Sequence, residues 1–175
     1  RRIALNKAKK IAVLVSGGGT NLQSLIDCQK NGMFGESAIT LVIASKPGVY
    51  ALERAKNAGI ASAVLCRKDY SDIAAYSAAL VKALKDAEID LVVLAGFLTI
   101  IDEQVYEAYP NAIINIHPAL IPSFCGKGFY GLHVHEAALA YGVKVTGATV
   151  HFVNEIPDGG EIIAQKAVCI EDGDT

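Results

Sequence analysis

At 175 residues, 52% hydrophobic and 19% charged, the chain has room for one domain with a full core and is too apolar for a disordered or repeat protein. Sixteen Lys and Arg against 18 Asp and Glu give a formal net charge of −2, which offers no basic footprint for nucleic acid. No apolar run reaches membrane-spanning length, the N-terminus lacks a signal-peptide pattern, and four scattered cysteines form no C-x-x-C pair, so a cytoplasmic setting with reduced thiols is expected, without a zinc site or a disulfide framework.

The chain opens with Arg1, Arg2, Lys7, Lys9 and Lys10. This basic arm over 1–10 reads as solvated or appended, with a single domain over 11–175. Ile11, Val13, Leu14 and Val15 predict a buried strand over 10–16. Gly17, Gly18, Gly19, Thr20 and Asn21 follow, and Thr20-x-x-Gln23 has the form of a capping box. The helix it starts should carry Leu22, Leu25 and Ile26 inward and stop at Gly32. A glycine-rich turn between a strand and a helix N-terminus presents free N–H groups and the positive end of the helix dipole, the outline of a phosphate cradle. A tight βα turn without ligand shares that outline. Leu22 stands where a dinucleotide fingerprint has its third glycine, and no Gly-Lys-Ser/Thr follows, so neither that fingerprint nor a Walker loop is present. Within the turn, Gly19 is where the backbone would come close to a phosphate and a side chain would block the approach.

Strands over 39–44 and 61–65 flank a helix over 49–58 closed by Gly59. Ser71 is expected to cap a long helix with Ile73, Tyr76, Leu80 and Leu84 at helical spacing. A fourth buried strand runs over 91–95, Gly96 allows a tight turn, and Leu98, Ile101, Val105 and Ala108 mark the inner face of a helix ending before Pro110. Such alternation predicts an α/β fold with a doubly wound, mostly parallel open sheet.

Ile113, Ile114 and Ile116 suit a further strand, interrupted by Asn115 and His117 on one face. Pro118 should end it, leaving an amide and an imidazole at its carboxyl end, where open parallel sheets bind ligands. A strand end capped by loop backbone is the plainer alternative for Asn-x-His alone. Residues 123–131, with three glycines, Phe129 and Tyr130, suit a loop over a site, and Cys125 is a small residue within it. After a helix over 133–141 stopped by Gly142, residues 146–153 alternate as a strand with Thr149 and His151 on one face. A turn over 154–160 leads to a last strand over 162–168, and such short connections allow antiparallel pairing near the C-terminus.

Four stretches now stand in one order: Ser-Gly-Gly-Gly-Thr-Asn-Leu-Gln at 16–23, Leu-Ala-Gly-Phe-Leu at 94–98, Asn-Ile-His-Pro-Ala-Leu-Ile-Pro at 115–122, and His-Phe-Val with a later Asp-Gly-Gly within 151–160. Together they resemble the formyltransferases that use 10-formyltetrahydrofolate, over nearly the whole chain from Ile11. The first motif is similar to that of phosphoribosylglycinamide formyltransferases, the glycinamide ribonucleotide transformylases of purine biosynthesis. The resemblance implies a Rossmann-like formyltransferase fold. It also implies transfer of a formyl group from 10-formyltetrahydrofolate, a cosubstrate, to the amino group of glycinamide ribonucleotide, with no metal. By matching positions, Asn115, His117 and Asp158 would be catalytic, and Gly17, Gly18, Gly19, Thr20 and Asn21 would hold the ribonucleotide's phosphate. Leu98, Thr99, Ile100 and Ile101, with Asn115, would contact the folate, and His151 matches a histidine in a supporting or purely structural role. The implied partners are these small molecules, neither nucleic acid nor membrane, with the chain a monomer or homodimer.

Several positions depart from that pattern. Gly-Gly-Gly-Thr stands where Gly-Asn-Gly-Ser is usual, Ala119 where serine is common, and Glu161 where proline usually follows Gly-Gly. Ile73 takes the place of a frequent arginine, with Arg67 and Lys68 upstream, and the 123–131 loop is longer than in some members. The family normally continues past the position of Thr175 into a helix that helps hold the phosphate.

Formyl transfer requires a neutral amine aimed at the formyl carbon, donors for the tetrahedral oxyanion, and a proton for the leaving nitrogen. Asn115 can donate to the oxyanion. His117, as an imidazolium, can do the same and act as general acid, and a carboxylate at Asp158 favours that charged form. A formyltetrahydrofolate deformylase with water as acceptor is the alternative enzyme, and its members usually carry an added N-terminal regulatory domain. A non-catalytic ribonucleotide- or folate-binding module would leave the three residues idle. A methionyl-tRNA formyltransferase fits less well, because no basic face is present.

Overall fold

The computed structural model describes residues 8–175, so residues 1–7 of the expected basic arm lie outside the described residues. The chain divides into two compact units, one ending at Ile113 and the other Ile114–Thr175.

In the first unit β1 (Lys10–Val15), α1 (Thr20–Lys30), β2 (Ala38–Ala44), α2 (Tyr50–Asn57) and β3 (Ala61–Val64) alternate. A single 3₁₀ turn (Arg67–Asp69), α3 (Ile73–Asp86), β4 (Leu91–Leu94) and the short α4 (Glu103–Ala108) complete it. All pairings are parallel, with β2 and β4 on either side of β1 and β3 beyond β2. Every residue of β1 after Lys10 is buried, which is why its sequence is an unbroken apolar run instead of an alternation. Leu22 and Ile26 of α1, Ala51 and Ala55 of α2, and Tyr76, Leu80 and Leu84 of α3 complete the core. From β1 the chain winds outward through β2 to β3, then returns to the other flank of β1 as β4. The carboxyl ends of β1 and β4 therefore border a topological switch point, where doubly wound sheets take ligands.

Three local expectations are corrected. α1 begins at Thr20, with Gly19 as its N-cap and no side-chain cap; the capping box does not form because Gly19, left-handed at φ 72, supplies the carbonyl that receives the Gln23 N–H at 2.9 Å. Asp72, not Ser71, caps α3 by accepting from the Ala75 N–H at 2.8 Å, and Ser71 donates to it. The helix expected from Leu98 starts only at Glu103, capped by Asp102, because the chain from Gly96 to Ile101 forms the loop leaving β4. Leu98 is accordingly 58% exposed instead of inward-facing.

The second unit holds β5 (Ile113–His117), α5 (Leu132–Tyr141), β6 (Val145–Phe152) and β7 (Ile162–Cys169). β6 pairs antiparallel with both β5 and β7, as expected of the C-terminal strands. The class is therefore α/β, a mostly parallel doubly wound arrangement with antiparallel strands near the C-terminus. Register sets Asn115 opposite His151 and His117 opposite Thr149. Thr149 is fully buried and ties down the bend after β5: its hydroxyl donates to the Ala119 carbonyl at 2.7 Å and accepts from the Ile121 N–H at 3.1 Å. Gln165 of β7 donates to the Ile121 carbonyl and to the Thr149 hydroxyl, both at 3.0 Å. Among the described residues no helix is long and apolar enough to cross a membrane.

Gly147 lies where any Cβ would drive into the Lys166 carbonyl of β7. Gly147→Ala should therefore lower the thermal midpoint and speed amide exchange across the β6–β7 ladder while sparing β1 and β2. Unchanged exchange at Ala148 and Lys166 would show that the pairing relaxes around the methyl.

Candidate active site

In the second unit four polar side chains converge. His117, at the end of β5, is only 3% exposed. Its Nε2 lies 2.8 Å from the carbonyl of Phe124, and its Nδ1 forms an ion pair with Asp158 Oδ2 at 3.5 Å. Both ring nitrogens thus face oxygen atoms, a main-chain carbonyl on one side and the Asp158 carboxylate on the other. His151, 2% exposed, sits across the ladder. Its Nδ1 lies 2.8 Å from the Phe152 carbonyl, and its Nε2 lies 3.1 Å from the Asn115 amide nitrogen and 3.6 Å from Asp158 Oδ1. Nε2 of His151 therefore stands between the Asn115 amide and the Asp158 carboxylate and links the two.

Asp158 is presented by a turn that its sequence makes obligatory. Its φ is +55, a region that aspartate tolerates better than most side chains. A Cβ at Gly159 would sit 2.5 Å from Ile156 Cγ2, and one at Gly160 would enter the Phe152 carbonyl. The two glycines let the turn fold tightly onto the end of β6, and Phe152 N–H to Glu161 carbonyl closes it at 2.9 Å. Burial pushes the Asp158 carboxyl up, but the contact from His151, the Gly126 N–H at 2.8 Å and the charges of His117 and His151 outweigh it, leaving the group below its ordinary 3.8. Cys125 is pushed the other way, first by burial and then by the Asp158 charge. Its thiol donates to the Pro122 carbonyl at 3.3 Å.

The first unit holds the glycine cradle. Among the described residues, the N–H groups of Gly17, Gly18, Gly19, Thr20 and Asn21 donate to no protein acceptor. Gly19 is left-handed and the residues after it are helical, a succession that folds consecutive N–H groups into an anion-binding nest. A Cβ at Gly19 would meet Ala51 Cβ at 2.7 Å on α2. Gly17 and Gly18 have open space around them. Arg54 of α2 reaches the turn, donating to the Gly18 carbonyl at 2.8 Å and to Gln23 Oε1 at 2.9 Å.

The expected folate segment, Leu98 to Ile101, leaves β4 beside the end of β1. Ser16 joins the two strand ends: its N–H donates to the Gly96 carbonyl at 3.1 Å, and its hydroxyl accepts from Leu98 N–H at 2.9 Å and from Ser45 at 2.7 Å. Leu98 and Ile100 stay exposed, Thr99 is half-buried, and Ile101 turns inward with its carbonyl accepting from the Tyr106 hydroxyl at 2.8 Å.

The formyl transferase family matches residues 9–175. The chain belongs to the formyl transferase family. It is 43% identical over 171 residues to the trifunctional purine biosynthetic protein adenosine-3 of Drosophila melanogaster, covering 97% of this chain but 12% of that protein. To the phosphoribosylglycinamide formyltransferase of Haemophilus influenzae it is 41% identical, over 93% of this chain and 74% of the relative. Glycinamide ribonucleotide transformylase 1 from Symbiobacterium toebii superposes with a TM-score of 0.89 at 40% identity, over 96% of this chain and 76% of that one. The phosphoribosylglycinamide formyltransferase of Bacillus halodurans gives 0.88 at 42%, over 95% and 83%.

Within this formyl transferase chain the structure brings Asn115, His117, His151 and Asp158 together, and sets Gly17–Asn21 and Leu98–Ile101 on loops leaving neighbouring strands of the first unit. Sequence reasoning missed Arg54, Ser16, the Gly126 N–H and the Phe124 carbonyl. Ser16 had a visible signal, a hydroxyl ending an apolar run; the other three act through contacts that no local pattern announces. Among the described residues, no three His, Cys, Asp or Glu side chains are grouped to hold a metal.

Because the folded carboxyl of Asp158 binds its proton less readily than the unfolded one, it contributes stability at neutral pH that is lost as pH falls from the ordinary carboxylate range through the lowered value. Asp158→Asn, which also tolerates the left-handed turn, removes that contribution. The urea-midpoint difference between wild type and Asp158→Asn should shrink as pH drops from about 5 to about 2. A difference constant over that range would mean the carboxyl gains nothing from its partners.

Proposed function

We propose that the chain transfers the formyl group of 10-formyltetrahydrofolate to the amino group of glycinamide ribonucleotide, a step of purine biosynthesis. The observation that carries this reading is the His117–Asp158 pair with Asn115 beside it, in a chain whose relatives carry the name of that reaction.

In this reading the amine's lone pair forms the new bond to the formyl carbon, and the carbonyl pair moves onto oxygen. Asn115 donates an amide hydrogen to that oxygen, and a donor of this kind is worth about 2.7–4 kcal/mol of barrier. The bond between the carbon and the folate nitrogen then breaks. His117 gives that nitrogen a proton from Nε2, and the imidazole so freed takes up the proton lost by the amine, so the enzyme returns unchanged. Nε2 is held by the Phe124 carbonyl, an acceptor the substrate must replace. Asp158 orients the ring through Nδ1. The Gly17–Asn21 N–H groups take the ribonucleotide's phosphate, and the exposed apolar faces of Leu98 and Ile100 take the folate's flat ring. Both partners are small molecules, with no part for nucleic acid or membrane. The chain acts as a monomer or homodimer, and a cytoplasmic setting suits its four free cysteines.

The decisive experiment incubates the chain with 10-formyltetrahydrofolate, with and without glycinamide ribonucleotide, and follows release of tetrahydrofolate. Release should require the amine. Equal release without it would make the chain a deformylase, and none in either mixture would make it a binding module.

Two glycine variants probe the cradle. Gly18→Ala, in open space, should keep the KM for the ribonucleotide within about threefold of wild type. Gly19→Val should abolish ribonucleotide saturation and lower the thermal midpoint, because it both clashes with Ala51 and forces a β-branched residue to positive φ. Equal behaviour of the two would remove the distinction the packing makes between them.

A further inference from the structure

We propose that Arg54 is the positioning residue of the 17–21 cradle, fixing from α2 the peptide plane that aims the cradle's N–H groups at an anion. The inference rests on the reading of that cradle as the ribonucleotide's phosphate site and adds a residue outside the loop that sets its affinity.

The run of three glycines is held through its main chain alone: the Gly17 carbonyl accepts a long bond from Ala51 N–H at 3.4 Å and the Gly19 carbonyl one from Gln23 N–H at 2.9 Å, which leaves the Gly18 peptide between them. Gly17 and Gly18 have no side chains to pack, nothing near them would touch a Cβ, and glycine loses more backbone freedom on ordering than any other residue. Free donors on a floppy loop bind an anion poorly, because the ordering is charged against binding. The Gly18 peptide therefore needs an anchor of its own.

Arg54 supplies two anchors on either side of Gly19. Its Nε donates to the Gly18 carbonyl at 2.8 Å, before the turn, and its Nη1 to Gln23 Oε1 at 2.9 Å, in the first turn of α1. The guanidinium is itself oriented, lying 4.8 Å over the ring of Tyr50 one helical turn earlier. Its Cδ stands 3.5 Å from where a Gly19 Cβ would be, so the stem also closes that side of the turn. In a trans peptide the carbonyl and the following N–H point in opposite directions. Drawing the Gly18 carbonyl towards Arg54 thus turns the Gly19 N–H away from Arg54, and like those of Thr20 and Asn21 it has no protein acceptor. Binding the carbonyl with a cation also polarises that peptide, making its N–H a stronger donor. A lysine reaches one of these acceptors but lacks the planar fork that spans both.

The test measures steady-state rates with both substrates, and separately the affinity for inorganic phosphate by calorimetry, for wild type, Arg54→Met, Arg54→Lys and Gln23→Met. Methionine keeps much of the apolar stem. Loss of a hydrogen bond to a charged donor predicts a KM for the ribonucleotide raised about tenfold or more in Arg54→Met, and phosphate affinity reduced by a like factor. The folate KM and kcat should stay within about twofold, since no reacting atom is touched. Arg54→Lys should recover only part of the loss. Gln23→Met, which removes one anchor without changing charge, should show a smaller loss of the same kind. Unchanged ribonucleotide KM and phosphate affinity in Arg54→Met would overturn the proposal. So would parallel losses in both KM values, kcat and thermal midpoint, the pattern of mere packing, or full rescue by lysine, the pattern of charge alone. If wild type turns over no ribonucleotide at all, the functional reading fails by itself, while the phosphate titrations still decide the role of Arg54.

Discussion

Taking a carboxylate out of water raises its hold on a proton, yet Asp158 is kept below its ordinary range by two imidazoles and a backbone N–H. The environment therefore has to supply more stabilisation of the charge than burial removes. That requirement organises the second unit. It explains why β5 and β6 pair in the register that sets His151 across from Asn115, and why the 118–131 segment returns so that Gly126 can donate to Asp158. It also explains why the turn after β6 carries two glycines that nothing else could replace. Once the carboxylate is charged, His117 meets an acceptor at each nitrogen, and His151 links the carboxylate to the Asn115 amide.

The first unit solves a different problem. The turns after β1, at 16–19, and after β4, at 95–101, contain no ionisable residue; they offer main-chain donors, and these need geometry more than charge. The geometry comes from the winding. Because β4 lies on the opposite flank of β1 from β2, the loops after β1 and β4 leave neighbouring strand ends, and one hydroxyl, on Ser16, reaches both. The turn after β1 is then shaped by α2, through Ala51 beneath Gly19 and Arg54 on the Gly18 carbonyl.

Much of this was legible in the sequence, for physical reasons that differ between elements. Buried parallel strands need apolar residues on both faces, so β1, β2 and β4 stood out as runs; α3 needs one buried stripe, so Tyr76, Leu80 and Leu84 marked it. Asn115 and His117 were visible because two polar residues at alternate positions interrupt an isoleucine-rich strand. The caps of three helices were not legible, since Thr20, Ser71 and Leu98 each satisfied a local rule while Gly19, Asp72 and Asp102 took the cap. A cap is decided by which carbonyl or carboxylate faces the free N–H groups, and two adjacent polar residues compete for that place. Arg54 and the Gly126 N–H were illegible for a stronger reason: they act 36 and 32 residues away along the chain, and nothing local marks either.

The departures from the family pattern follow the same division between main chain and side chain. At Ala119 the carbonyl does the work, accepting from Thr149 at 2.7 Å, while the methyl is fully buried; a serine hydroxyl there is dispensable. At Glu161 the carbonyl closes the Asp-Gly-Gly turn by accepting from Phe152, a bond that proline and glutamate make equally well, since neither uses its N–H or side chain for it. At Ile73 the helix start is secured by Asp72, and Arg67 just upstream is engaged with the Tyr70 carbonyl at 3.1 Å, so the fold asks nothing of a basic side chain at 73. Gly18 in place of asparagine falls where a Cβ would meet nothing and where Arg54 grips the backbone oxygen. At 18, 119 and 161 the contact is made by a main-chain carbonyl, which every residue carries. At Asn115, His117 and Asp158 the amide, imidazole and carboxylate are themselves the contacts, so a change of side chain there removes the contact with it.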